Sequence, residues 1–159
     1  MGSDDHGRFM RLAVEVAREG IANGQTPFGA CVVNDDGVVV RAHNTVWQDT
    51  DITAHAEVQA IRRCCRRLST IDLSGCIIYS TCEPCPMCFS ACHWARIDRI
   101  VYGAEIGDAA EFGFNELPIT DAEMKERSGS PVEITPGVLR EECIALFERW
   151  ISQTDARGY

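Results

Sequence analysis

The chain has 159 residues, enough for one domain with its own core, and 45% of them are hydrophobic, as in an ordinary soluble globule. A formal net charge of −9 and a pI near 4.8 argue against nucleic acid or another phosphate polymer as the partner. Nine cysteines without a recognisable signal peptide point to a reducing, cytoplasmic compartment, and no apolar run is long enough for a membrane span.

In chain order, Phe9, Leu12, Ala13, Val16, Ala17 and Ile21 recur at helical spacing and predict a helix over residues 5–22, ended by Gly24. Met1-Gly2 is followed by His6 where an acylation signal needs Ser or Thr, so no lipid anchor is expected. Residues 28–33 and 38–42 read as two strands joined by Asn34-Asp35-Asp36-Gly37, a turn that takes a positive φ at Gly37. The polar stretch 43–52 leads to Thr53, a good N-cap for a helix over 54–68. A strand over 76–80 and a loop precede Pro84, suited to the first position of a helix that runs to residue 96. Residues 99–102 and 132–135 read as strands, with a polar, weakly helical stretch between them. Leu139, Cys143, Leu146, Phe147, Trp150 and Ile151 form the stripe of a last helix. This order predicts a single α/β domain over 1–159: a mixed five-stranded sheet with an N-terminal antiparallel hairpin, covered on both faces in a three-layer α/β/α arrangement.

Two stretches carry the chemistry, His55-Ala56-Glu57 and Pro84-Cys85-Pro86-Met87-Cys88. One imidazole and two thiols suit a tetrahedral zinc whose fourth position is left to water, and such an open site is usually catalytic. Glu57 sits too near His55 to be a ligand in the same turn, yet close enough to exchange protons with a water in that position. C-x-x-C alone is also a thiol redox motif, but a closed structural zinc site needs a fourth strong ligand, and no separate C-x-x-C beyond the 82–88 run and no H-x-H supplies it. H-x-E paired with P-C-x-x-C is the signature of zinc-dependent nucleobase deaminases. Cys31, Cys64, Cys65, Cys76, Cys92 and Cys143 read as packing residues. Arg62, Arg63, Arg66 and Arg67 read as a solvated helix face, with RNA contact the lesser alternative.

Pro27-Phe28-Gly29-Ala30, Thr53-Ala54-His55-Ala56-Glu57, Cys82-Glu83-Pro84-Cys85-Pro86-Met87-Cys88 and Trp94-Ala95-Arg96 resemble the cytidine-deaminase-like superfamily. Asp108-Ala109-Ala110-Glu111 with Gly113-Phe114, and Trp94, resemble its small bacterial guanine deaminases. The resemblance implies the cytidine-deaminase-like fold, one zinc per subunit on His55, Cys85 and Cys88, and Glu57 as proton shuttle. It implies that Asn44 hydrogen-bonds the purine and that Phe28 and Trp94 pack around it; the family's Asp on the purine edge falls on Asn115 or Glu116 here, and the role is carried to Glu116. It also implies a homodimer in which Tyr159 reaches the partner's site through an exchanged C-terminal segment. The amphipathic last helix offers a face for such an interface. Read without the resemblance, Asn44 is a turn former, Trp94 a core residue and Tyr159 a frayed terminus. Ile52 replaces the family's Pro, and Gln25-Thr26 a Gly pair.

The expected reaction is hydrolytic deamination of guanine to xanthine and ammonia. The alternatives are the same chemistry on guanosine, ammeline or another triazine, cytosine or transfer-RNA adenosine, and a zinc-stabilised binding domain without catalysis.

Overall fold

The computed structural model describes residues 3–159, so the Met1-Gly2 stretch weighed for acylation lies outside the described residues. The elements run α1 (Ser3–Ala22), β1 (Gly29–Asn34), β2 (Gly37–His43), α2 (Val46–Asp49), α3 (Ala56–Leu68), β3 (Ile77–Cys82), α4 (Pro86–Trp94), β4 (Arg99–Ala104), α5 (Ile106–Glu111), α6 (Asp121–Ser128), β5 (Glu133–Thr135) and α7 (Arg140–Ile151). The five strands form one sheet in the order β2-β1-β3-β4-β5. β1 pairs antiparallel with β2 and β3, whereas β3, β4 and β5 are parallel. This is the expected mixed sheet with its hairpin.

Strand alternation splits the core in two. Cys31, Val33, Tyr79 and Val101 face one side, where Met10, Val14 and Ala17 of α1 and Cys143, Leu146 and Phe147 of α7 cover them. Ala30, Val32, Ile78 and Ile100 face the other, under Ala60 and Cys64 of α3 and Phe89 and Cys92 of α4. A side-chain period of two on the strands therefore builds the three layers directly. Gly29 marks where α1 comes closest, because a Cβ there would strike the Ala13 carbonyl oxygen. Asp36 N–H donates to Asn34 Oδ1 at 3.0 Å in the hairpin turn, and Gly37 takes the expected positive φ of 114°.

Three expectations change. Thr53 does not cap α3: its N–H and Oγ1 donate to Asp51 Oδ1 at 2.8 and 2.7 Å, and His55 is the N-cap. Pro86 takes the first helical position of α4, with Cys85 as N-cap, so Pro84 stays in the loop. Most of the apolar stripe of α7 packs inside the chain, where Cys143, Leu146, Phe147 and Trp150 are buried, and only Ile151 of the residues named for it is exposed. The four-residue α2, too short to show a periodicity, occupies the stretch read as irregular. Among the described residues no helix is long and apolar enough to cross a membrane. All nine cysteines are free thiols.

Candidate functional site

The site lies beyond the carboxyl end of β3, where α3 and α4 both begin. His55 and Cys85 are the two N-caps, in nearly the same extended conformation (φ −64°, ψ 155° and φ −65°, ψ 166°). Each therefore projects a side chain forward from a helix start, and Cys88 follows one turn into α4. Two helix N-termini aimed at one point favour negative charge there, as two thiolates require.

His55 Nδ1 stands 3.7 Å from Cys85 Sγ and 3.5 Å from Cys88 Sγ. Tetrahedral zinc with ordinary Zn–S and Zn–N bonds separates such atoms by about 3.6 Å, so the set fits zinc without rearrangement. Among the described residues it is the only trio of potential ligands within 4.8 Å of one another. The Cys85 thiol is pulled down to about 4 by the hydrogen bond from Cys88 and by His55, against the effect of burial. Cys88 is pushed up by that same bond and by burial. The pair thus shares one proton, which a cation would displace. Burial lowers the His55 imidazole, and Cys85, Glu57 and Glu116 together more than reverse it.

Glu57, in the first turn of α3, is only 5% exposed. Ser80 Oγ donates to its Oε1 at 3.0 Å and Cys88 Sγ to its Oε2 at 3.4 Å. Burial raises its pKa, with His55 pulling the other way, so this carboxyl takes up a proton more readily than a surface glutamate. Glu116 comes from the 112–120 segment between α5 and α6. Burial and the Cys85 thiolate push it up to about 7.

A cavity of about 250 Å³ opens over these groups, lined by Ile52, His55, Cys85, Met87, Glu116 and Tyr159, among others. A smaller inner space of about 20 Å³ touches Phe28, His55, Glu57, Glu83, Cys85 and Glu116. Phe28 and Phe114 meet edge to face at 4.9 Å and wall it on the apolar side. Asn44, fully buried, accepts from Val46 N–H through Oδ1 at 3.0 Å, which fixes its amide so that Nδ2 donates to the Tyr159 hydroxyl at 2.6 Å. Tyr159 reaches this point within its own chain, its ring 5.6 Å from that of His55. Crossing to a partner is therefore not required to bring it there. Asn115 N–H donates to the Tyr159 carbonyl at 2.9 Å, Trp47 Nε1 to the Arg157 carbonyl at 3.1 Å, and the Arg157 guanidinium lies 3.8 Å from the Trp47 ring centre.

Asn44 lines neither cavity and reaches the site through Tyr159, and Trp94 departs further from the sequence-derived reading. It ends α4, about 9 Å along the axis from Cys88, and is 83% exposed. It lines a separate, larger surface depression of about 1330 Å³ with Ile71, Ile97 and His93, which contains none of the ligands. It does not pack around a ligand at His55 of the same chain. Sequence reasoning also passed over Ser80, Glu83, Trp47 and Arg157. Ser80, which with Thr81 ends the apolar run Ile77-Ile78-Tyr79, was the one visible signal. Arg62 and Arg63 are exposed, Arg62 3.8 Å from Asp51 and Arg63 donating to the Arg41 carbonyl.

Residues 3–104 match the cytidine and deoxycytidylate deaminase zinc-binding region. A guanine deaminase from Bacillus subtilis (strain 168) is 38% identical over 159 residues, covering 98% of this chain and 99% of its own length. A tRNA-specific adenosine deaminase of that organism is 33% identical over 147 residues, 91% of this chain and 88% of its own. The solved structure of a guanine deaminase from Nitrosomonas europaea superposes with a TM-score of 0.85 at 28% identity, over 92% of this chain and 85% of that one. The ligand geometry, the sheet order and these likenesses converge, and the chain belongs to the zinc-binding cytidine and deoxycytidylate deaminase family.

Proposed function

We propose that this chain is a guanine deaminase that hydrolyses guanine to xanthine and ammonia. The observation that carries this reading is the convergence of two carboxyl groups, Glu57 and Glu116, with His55 and Cys85 around the small inner space, beneath an outer cavity of about 250 Å³ that His55, Cys85 and Glu116 also line. At about 250 Å³ the outer cavity is smaller than the roughly 300–1,000 Å³ typical of drug-sized ligands, which favours a free base over a base carried on RNA. The full-length likeness to a guanine deaminase supports the same choice.

Zinc held by His55, Cys85 and Cys88 supplies the Lewis acidity that brings the ionisation of water down to near-neutral pH. Glu57 takes a proton from the attacking water and delivers it to the ring nitrogen next to the amine-bearing carbon, making that carbon electrophilic. The hydroxyl thus added to the carbon gives its remaining proton to Glu57, which passes it to the amine as the carbon–nitrogen bond breaks and the new carbonyl forms, so that xanthine and ammonia leave and Glu57 is again ionised. Ser80 orients Glu57 by donating to Oε1, and Oε2, which Cys88 Sγ reaches at 3.4 Å, turns toward the reacting atoms once that thiol has given up its proton. Asn44 offers Nδ2 to a purine acceptor, its orientation locked by Val46. Glu116 meets the N–H edge of the base, Phe28 packs on its face, and Tyr159 closes over it.

Ammonia release from the zinc-loaded protein, measured with guanine, guanosine, ammeline, cytosine and an adenosine-containing anticodon stem, tests the substrate. Guanine should dominate. An inert guanine beside a faster rival would refute the assignment. A cytoplasmic homodimer belongs to the same reading. The free thiols fit a reducing compartment, and the exposed Trp94 and Ile71, 83% and 85% accessible, give a partner copy apolar surface to cover. A monomer mass in light scattering at every dilution would exclude the dimer.

A further inference from the structure

We infer that Glu83 is a positioning residue: by accepting the first backbone N–H of both α5 and α6, it fixes the segment that aims Glu116 at the substrate. The inference rests on the reading of Glu116 as a group that engages the base.

Glu83 follows the last residue of β3 and precedes Cys85 by two positions, and its own N–H donates to the Ala104 carbonyl at 2.7 Å. Its backbone is thus pinned to the ends of the two central parallel strands. The side chain is buried and accepts from both helix starts, Ile106 N–H to Oε2 at 3.2 Å and Asp121 N–H to Oε1 at 2.8 Å, with the Tyr102 hydroxyl as a further donor to the same carboxylate. Ile106 and Asp121 are the first residues of α5 and α6, where backbone N–H groups have no partner inside the helix. One carboxylate therefore caps two helices, and 112–120 is strung between them.

Phe114 holds the start of that segment in the core, 5% exposed and packed against Phe28, Phe147 and Trp150. Beyond it, Leu117 and Ile119 are exposed, Glu116 N–H bonds locally to the Phe114 carbonyl, and Asn115 N–H donates to the C-terminal Tyr159. The frame that sets the distance from Glu116 to Cys85 passes through Phe114 and, at both helix starts, through Glu83, which also lines the inner space beside Glu57 and Glu116. A residue that only stabilised the fold would lower melting temperature without acting through Glu116.

The test is a double-mutant cycle on guanine turnover by the zinc-loaded protein, with Glu83→Gln, Glu116→Gln and the pair. Gln keeps one oxygen acceptor and sets an NH₂ against the other helix amide, so one helix start is released. In the otherwise native protein kcat/KM should fall about tenfold or more, the scale of one lost charge-assisted hydrogen bond, with zinc content unchanged. In the Glu116→Gln background the same replacement should cost less than about twofold, because coupled positions are not additive. Equal losses in both backgrounds, or a lowered melting temperature with intact turnover, overturn the inference. Normal turnover by Glu116→Gln alone overturns the reading of Glu116 instead, and the two failures are distinguishable. Should Glu83→Gln not fold, Asp121→Pro removes one of the two amide donors at a helix position that accepts proline, with Asp121→Asn as its side-chain control. Slower turnover by the proline variant than by the control is expected, and equal rates overturn the inference.

Discussion

Replacing Glu57 by Gln separates proton transfer from everything else this carboxyl does. Gln has the same shape and can still accept from Ser80 Oγ, which now donates to Oε1 at 3.0 Å. Its NH₂ falls near the Cys88 sulfur, now 3.4 Å from Oε2, where it meets a thiolate acceptor once zinc is held. Packing and ligand geometry are therefore preserved. What disappears is a group able to take a proton and return it. A positioned general acid or base contributes about 10²–10⁴-fold to a rate, and here one residue serves both the attack and the departure of the amine. The hypothesis predicts a loss of at least about 10³-fold in kcat, or about 4 kcal/mol on the barrier, with KM for guanine changed by less than about threefold. The assay is ammonia release under saturating guanine, with zinc measured by elemental analysis on the same sample. A zinc-replete Glu57→Gln protein within about tenfold of the native kcat would refute the shuttle role.

Two further outcomes follow from the geometry. Arg157→Ala removes a guanidinium 3.8 Å from the Trp47 ring centre, a contact worth about 0.5–1 kcal/mol at an exposed site. Amide exchange at Asn115, whose N–H is bonded to Tyr159, should quicken about two- to fivefold by that energy, and an unchanged rate would show that the tail is held by other contacts. Asp121 is fully buried with both side-chain oxygens unpartnered, and burial and Glu83 raise its pKa to about 9. Its folded pKa lies above the unfolded value near 3.9, so between those limits the folded state holds the extra proton and stability falls as pH rises. Asp121→Asn removes this dependence, and its melting temperature relative to the native protein should climb steadily from pH 5 to pH 9. Parallel melting curves over that range would mean that Asp121 is ionised in the fold.

How far the chain could be read without coordinates depended on whether its signals were local. The hairpin was legible because Asn34 and Gly37 specify their turn by their own backbone preferences. The sheet was legible because alternate residues of β1, β3 and β4 had to be apolar on both faces. His55, Cys85 and Cys88 were legible because metal ligands are few in kind and keep short spacings. Thr53 and Pro84 misled because each satisfies the rule for a helix start two residues before the one used. The chain gives those starts to His55 and Cys85, residues with no general capping preference, because an N-cap side chain projects forward from a helix start, toward the point that Cys88 reaches from one turn inside α4. Here the site overrode local propensity, which is where such rules are expected to fail. Glu83 and Arg157 could not be read at all. Their partners lie 23 to 110 residues away in sequence, and nothing in a neighbouring residue announces an amide at the start of a distant helix or an indole across the cavity mouth. Trp94 failed for a different reason. Its place around the base came from the family resemblance alone, which does not say which way the last side chain of a short helix faces. A helix that points its first turn at an ion carries its last residue away from it, so the exposure of Trp94 follows from the same geometry that makes Cys85 and Cys88 ligands.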